Sequence, residues 1–375
     1  MQNNELIICY GDQPQSMTRR LLEQIKPEQG LDHNAKIGIK PNLVVPSPAE
    51  DGATTHPEIV EAIVLYFQER GFRNLVILEG SWVGSKTSHA FKRCGYQALA
   101  KKLNVPLIDL QEDDSVPLAA EGMTVQVCSQ VTGLDVLINV PVLKGHCQTG
   151  MTCALKNMKG CITNREKRRF HSMGLHMPIA ALSTLIRQDL IIIDGLCGDL
   201  TFEEGGHPVA MNRIIAAKDP VLADSYAAQL LGFDLSDVPY IQMAEKMGTG
   251  SADVSQALVT ELNHDQETPV CQPKPLRDRP YVRQIEEDQA CSACYGSLIH
   301  ALERLYERGA DTHLRQTQFL IGQGFKGKPG ASYQNRQHGK QQALGIGACT
   351  AGCKQFIPGC PPKAKEILAF LSKLD

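Results

Sequence analysis

Along the first 260 positions, apolar residues fall into short continuous runs. These are ELIICY (5–10), AKIGIKPNLV (35–44), NLVILEG (74–80), VPLIDL (105–110), LDVLINV (134–140), LIIIDG (190–195) and RIIAAKD (213–219). Between several of them the apolar spacing is helical instead, most clearly in THPEIVEAIVLYFQERG (55–71). There Thr55 is placed to cap the helix, Pro57 suits its first turn and Gly71 its end. MPIAALSTLIRQD (177–189) and DPVLADSYAAQLLGF (219–233) behave alike. Continuous apolar strands alternating with helices predict an α/β fold: a mostly parallel sheet with helices on both faces, over residues 1–261. Residues 262–282 hold four prolines and show no period, which predicts a linker. Residues 283–375 then predict a small α+β module, with helices in 296–310 and 361–374 and a strand near TQFLIGQ (317–323).

Composition narrows the class. The chain has 375 residues, 42% hydrophobic and 21% charged, with a formal net charge of -3. That is a soluble globular balance, and it argues against nucleic acid as a partner. The polar start MQNNELIICYG has no signal-peptide pattern, and no apolar run is long enough to span a bilayer, so no membrane is implied. The expected location is the cytoplasm. In a reducing compartment thirteen cysteines point to metal or redox chemistry rather than a disulfide framework.

Five of those cysteines cluster late in the chain. CSAC gives Cys291 and Cys294, and GACTAGCKQFIPGCPP (347–362) gives Cys349, Cys353 and Cys360. Cys294 and Cys360 each precede an expected helix, whose N-terminal N–H groups favour thiolate. The proline directly after Cys360 and the small residues around the group favour a 4Fe–4S cluster on Cys291, Cys294, Cys349 and Cys360. A zinc site or no metal are the alternatives. Cys353 is the rival of Cys349 for the fourth place. The stretch IPGCPPKAKEIL resembles the one that holds a cluster cysteine in the quinone-proximal subunit of respiratory complex I and in hydrogenase small subunits. That resemblance implies cluster ligation by Cys360 and nothing about quinone or hydrogen.

A second group lies in INVPVLKGHCQTGMTCALKNMKGCITNREKRRFHSMGLH (138–176). It starts where an apolar strand ends, the edge at which open α/β sheets bind ligands. Lys144, His146 and Lys156 are the catalytic candidates there. Thr152, Lys156 and Lys159 share one helix face, with Asn157 beside them. Other strand ends add Lys40 and Asn42, Glu79 and Asp194. Glu79 and Asp194 read equally as general acid/base groups or as helix caps. Lys40, Asn42, Thr152, Asn157 and Lys159 are assigned to binding an anionic small molecule. REKRR alone reads as a solvated helix face. Cys147, Cys153 and Cys161 fit no common metal spacing, and EEGGH (203–207) is a turn able to close over a pocket. The basic, glycine-rich stretch 322–347 gives a weak hint of phosphate binding.

IKPNLV, LINVPVLKGH, ALKNMKG, IIIDG and DPVLADSYAAQLLG, in that order, resemble the large domain-of-unknown-function family numbered 362, over roughly residues 36–250. The cysteine region resembles iron–sulfur modules found with that family. The family has no general assigned reaction and is distantly similar to the nickel-pincer lactate racemase superfamily. The chain lacks the full set of motifs of that superfamily, so its cofactor is not carried over. Together these features imply a redox enzyme or electron-transfer protein with a possible redox protein partner. The alternatives are a non-redox enzyme with a structural or Lewis-acid cluster, and a ferredoxin-like assembly protein.

Overall fold

The computed structural model describes residues 1–200, 202–263, 279–327 and 342–374. Most of the expected linker (264–278) and of the glycine-rich stretch (328–341) lies outside the described residues. The chain divides into two compact units, Met1–Arg168 with His176–Pro273, and Arg169–Leu175 with Lys274–Asp375.

The first unit is built on an eight-stranded sheet. Its spatial order is Leu258–Glu261, Glu5–Tyr10, Pro208–Ala217, Leu190–Asp199, Val136–Val140, Ile37–Pro41, Leu75–Glu79 and Leu107–Asp109. Neighbouring strands are parallel except around Pro208–Ala217, which runs antiparallel to both of its partners. Ile37–Pro41, Leu75–Glu79 and Val136–Val140 are buried at every position, as strands covered on both faces must be. Alternation then sorts their side chains. Ile37, Ile39, Ile138, Val140, Leu190 and Ile192 join the core made with the helices Pro14–Ile25, Pro57–Glu69, Thr87–Arg93 and Tyr96–Leu103. Their strand neighbours Lys40 and Asn139, which pair across the sheet, point to the other face. The segment Ala154–Asn157 and the helix Pro220–Leu230 pack there.

The helix after Ile37–Pro41 begins at Pro57, as the sequence predicts, and Gly71 takes the left-handed conformation just past its end (φ +90°). Thr55 does not cap it. Its hydroxyl instead accepts from the Asn42 N–H (2.8 Å) and donates to the Val140 carbonyl (2.8 Å), joining two strand ends. The helix Pro220–Leu230 is capped as expected, Asp219 accepting from the N–H groups of Val221 and Leu222.

The second unit holds a four-stranded sheet, Ile285–Glu287, Thr317–Ile321, Gln342–Ile346 and Phe356–Ile357, with every pairing parallel. The helices Ser292–Glu307 and Ala364–Leu371 pack on each other. The sequence predicts a single strand here because the others are only two to five residues long and lie beside glycine-rich or polar stretches.

Thr55→Val keeps the side-chain shape and removes both hydrogen bonds. It should cost about 1–3 kcal/mol by leaving a buried carbonyl and N–H without partners. Urea unfolding measures this; an unchanged midpoint would show the tie to be dispensable.

Candidate functional site

At the end of Ile37–Pro41, Lys40 is wholly buried. Its Nζ donates to Glu79 (3.0 and 3.1 Å), to the Pro41 carbonyl (3.1 Å) and to Asn157 Oδ1 (3.3 Å). Glu79 also accepts from the N–H groups of Gly80 (2.7 Å) and Leu43 (3.1 Å). The pair is therefore saturated with partners, as a buried ion pair has to be. Gly160 is packed against it: a Cβ at that position would stand 2.3 Å from Glu79 Oε1 and 2.6 Å from Lys40 Nζ.

Asn157 extends this knot. Its Oδ1 also accepts from Asn42 Nδ2 (2.7 Å), and its Nδ2 donates to Asn139 Oδ1 (2.7 Å). Asn139 Nδ2 donates in turn to Gln188 Oε1 (2.6 Å) and to the Ala154 carbonyl (3.1 Å). Asn42 Oδ1, buried, has no hydrogen-bond partner among the described residues.

The remaining cations gather around the turn 202–207. Lys144 Nζ donates to the carbonyls of Ala53 and Glu203. Burial pushes its ammonium down to about 7, the like charge of Lys156 adds to this, and Glu203, Asp199 and Glu79 oppose it. Lys156 is half-buried and donates to Thr152 Oγ1 (3.0 Å). Burial brings it to about 8, against the pull of Glu203 and Cys147. Lys159, also half-buried, is lowered well below the usual range by burial and by the charges of Lys156 and Lys167. Lys167 is a correction to the solvated-face expectation for REKRR. Arg165 and Arg168 are exposed, but Lys167 is buried, donates to the Gly80 and Ser81 carbonyls (2.9 and 3.0 Å) and is lowered to about 8 by burial.

His146, Cys147 and Glu203 form a group that could hold a metal ion, their ligand atoms lying within 4.8 Å of one another. The Cys147 N–H and thiol both donate to the Glu203 carboxylate (3.3 Å each). His146 Nδ1 accepts the N–H groups of Gln148 (3.1 Å) and Thr149 (3.2 Å), so the ring proton sits on Nε2, 3.5 Å from Glu203 Oε1. A histidine ligand ordinarily carries its proton on the nitrogen away from the metal. Metal held through Nε2 therefore requires the turn 147–149 to release Nδ1. In the arrangement described, His146 Nε2 faces Glu203 Oε1 as a histidine–carboxylate pair.

Lys144, His146, Lys156, Lys159 and Thr152 thus gather around Glu203, and Lys40, Asn42, Glu79 and Asn157 form the adjoining knot. Asp194 joins neither. It lies on the Ile192 side of its strand and holds His56, accepting from its N–H (2.8 Å) with Nδ1 also at 2.8 Å. That contact drives the His56 pKa up to about 11 against the effect of burial. Cys153 is buried beside Asp224, and Cys161 is buried as well. Sequence reasoning treats Glu203 only as part of a closing turn and does not single out Asn139. An amide inside the apolar run LDVLINV is the signal that could find Asn139. Nothing local marks Glu203, which meets Cys147 across 56 residues.

In the second unit every strand ends at the cysteine group. Ile285–Glu287 leads to Cys291 and Cys294, and Thr317–Ile321 leads to Gln323, whose Nε2 donates to Cys291 Sγ (3.3 Å). Gln342–Ile346 leads through Gly347 (φ +86°) to Cys349, and Phe356–Ile357 leads to Cys360. The last two turns are joined by the Gly347 N–H donating to the Ile357 carbonyl and the Ala348 N–H to that of Gly359, both at 2.8 Å. Burial raises the Cys294 thiol to about 12, with further increments from Cys291, Cys360 and Cys349. Cys291 is raised by burial, lowered by the Gln323 hydrogen bond, and raised again by Cys349 and Cys360. Cys353 is raised by burial alone.

Fold and site define an α/β protein with a cationic site at the strand ends of its first sheet. The chain belongs to the domain-of-unknown-function family DUF362, whose family model matches residues 37–229. It is 24% identical over 267 residues to the thylakoid-associated protein sll1697 of Synechocystis sp. (strain ATCC 27184 / PCC 6803 / Kazusa), covering 67% of this chain and 81% of that protein. Among solved structures it is similar to the lactate racemase apoprotein of Thermoanaerobacterium thermosaccharolyticum, at 11% identity and a TM-score of 0.40. That match covers 64% of this chain and 59% of the racemase. A Thermotoga maritima protein matches at 14% identity and a TM-score of 0.37, over 59% of this chain and 60% of the other. Among the described residues no helix is long and apolar enough to cross a membrane.

The depressed lysines give the site a signed pH dependence. Lys144 and Lys156 are half charged at about 7 and 8 and gain charge as the pH falls, and an adjacent anion raises both values. Binding of a small anion such as malonate should therefore take up protons at pH 8 and weaken about tenfold between pH 6.5 and 9. Calorimetry in buffers of different ionisation enthalpy measures the uptake; proton release, or tighter binding at pH 9, would reverse the assignment.

Proposed function

We propose that the protein binds one 4Fe–4S cluster through Cys291, Cys294, Cys349 and Cys360 and uses it in redox chemistry on an anionic small molecule held by the first unit. The supporting observation is the shared environment of the four thiols. Cys291 and Cys294 each feel Cys349 and Cys360, whereas Cys353 enters neither neighbourhood. The donor set fits an iron–sulfur centre, with four thiols at one sheet edge and an amide N–H already given to a sulfur. When bound, the cluster supplies a one-electron carrier. A redox protein partner provides the electron, and a cytoplasmic setting keeps the thiols reduced.

The residues of the first unit do the rest. Lys156, Lys159 and Thr152 bind the anionic group, and Asn42 orients the same molecule by accepting from a donor such as a hydroxyl through its open Oδ1. His146, with its proton on Nε2, exchanges that proton with Glu203, and Lys144 supplies a second proton near neutral pH. Lys40, Glu79 and Asn157 hold the floor of the site. Asp194 positions His56 and is not assigned a proton-transfer step.

Anaerobic purification should give brown protein with about four irons and matching sulfide per chain. Cys291→Ser, Cys294→Ser, Cys349→Ser and Cys360→Ser should each lose the chromophore, and Cys353→Ser should keep it. Colourless protein with stoichiometric zinc would overturn the cluster assignment, and loss only in Cys353→Ser would overturn the choice of ligand.

A further inference from the structure

A cleft of about 810 Å³ opens in the first unit where the strand Leu190–Asp199 begins and Pro208–Ala217 ends. Its wall includes Asn3, Thr184, Gln188, Asp189, Lys218 and Thr249. None of these residues belongs to the group around Glu203.

The direction of the amide chain decides what this wall offers. The Lys40 ammonium can only donate, so Asn157 must present Oδ1 to it and Nδ2 to the next amide. Asn139 then accepts through Oδ1 and donates through Nδ2 both to Gln188 Oε1 and to the Ala154 carbonyl, which fixes its orientation independently. Gln188 is left with Oε1 facing the chain and Nε2 turned away from it. That amide nitrogen is buried and has no acceptor among the described residues, in a residue only 7% exposed.

The acids of the wall are already committed. Asp219 accepts from the N–H groups of Val221 (2.8 Å), Leu222 (3.0 Å) and Ser251 (2.8 Å). Asp189 accepts from the Leu137 N–H (2.9 Å) and pairs with Arg187. Two donors of the wall are open: Gln188 Nε2, and Lys218, which is half-buried and makes no ion pair or hydrogen bond among the described residues. We infer that the cleft is a second ligand site, taking a small molecule whose phosphate or carboxylate group is bound by Gln188 and Lys218. The volume suits a nucleotide-sized ligand. An unpartnered buried amide is costly enough that a ligand accepting from it gains more than from a solvated donor.

Hydrogen exchange on the full-length protein tests this with three probes: inorganic phosphate, adenosine monophosphate and malonate. At least one should slow exchange in 183–189 and 247–251. Protection by all three would indicate oxyanion recognition alone, and protection by adenosine monophosphate only would add the rest of a nucleotide to the ligand class. Lys218→Ala should weaken that protection at least tenfold in the probe concentration needed. Gln188→Met, which keeps the volume and removes the donor together with the oxygen that accepts from Asn139, should weaken it similarly. Lys156→Met, which alters the other anion site, should leave it unchanged. The inference is overturned if no probe protects these segments in the wild-type protein. It is equally overturned if protection survives both Lys218→Ala and Gln188→Met, or disappears in Lys156→Met.

Discussion

The buried Lys40–Glu79 pair is the constraint on which the first unit turns. Taking both charges out of water is tolerated only because each finds several partners: two carboxylate contacts and two carbonyl-type oxygens for the lysine, three donors for the glutamate. Meeting that condition dictates neighbouring sequence. Gly160 must lack a side chain, Asn157 must present an oxygen, and the turns after both strands must point N–H groups inward. Because Asn157 is oriented by an ammonium, the orientation passes to Asn139 and Gln188. One ion pair thereby sets the polarity of a four-residue chain with an open acceptor, Asn42 Oδ1, near one end and an open donor, Gln188 Nε2, at the other.

Much of this fold is legible in the sequence, because parallel strands buried on both faces are written as unbroken apolar runs. The seven runs quoted above all lie in the eight-stranded sheet. What periodicity hides is direction and face. Pro208–Ala217 is antiparallel, but its continuous apolar run Ile214–Ala217 reads as one more strand of a parallel series. Asp194 follows an apolar strand just as Lys40 lies within one, yet the alternation of side chains sends the two to opposite faces of the sheet. Counting residues along a strand settles its own parity but not its register against a neighbour.

The site itself is partly legible for the same reason. Lys144, His146 and Lys156 are basic residues placed just after a buried strand, and the structure does gather them. Glu203, their common partner, sits in the turn of a long hairpin whose register no local pattern reveals. Lys167 misleads in the other direction. Within REKRR it is indistinguishable in composition from Arg168, and only the helix phase against the Gly80–Ser81 turn buries one and exposes the other. In the cysteine-rich unit, proline after Cys360 and the C-x-x-C spacing are visible one-dimensional signals, whereas the parallel order that brings four strand ends together depends on strands too short to leave a period.

Charge distribution narrows where an anion can sit. Five lysines, Lys40, Lys144, Lys156, Lys159 and Lys167, lie close together in the first unit, and the carboxylates acting on them include Glu79, Asp199, Glu203 and Glu204. Lys40 is matched by Glu79. Lys167 and Lys144 are held by carbonyl dipoles, which orient an ammonium without cancelling its charge. Glu203 is divided among Cys147, His146 and the fields of Lys156 and Lys159, while burial and Glu203 raise Glu204 above the ordinary carboxylate range. Lys156 and Lys159 are the two lysines of the group that remain partly exposed. An anion arriving there offsets the like charge that Lys156 imposes on Lys159, so the gain from binding includes relief of a repulsion that the folded chain already carries.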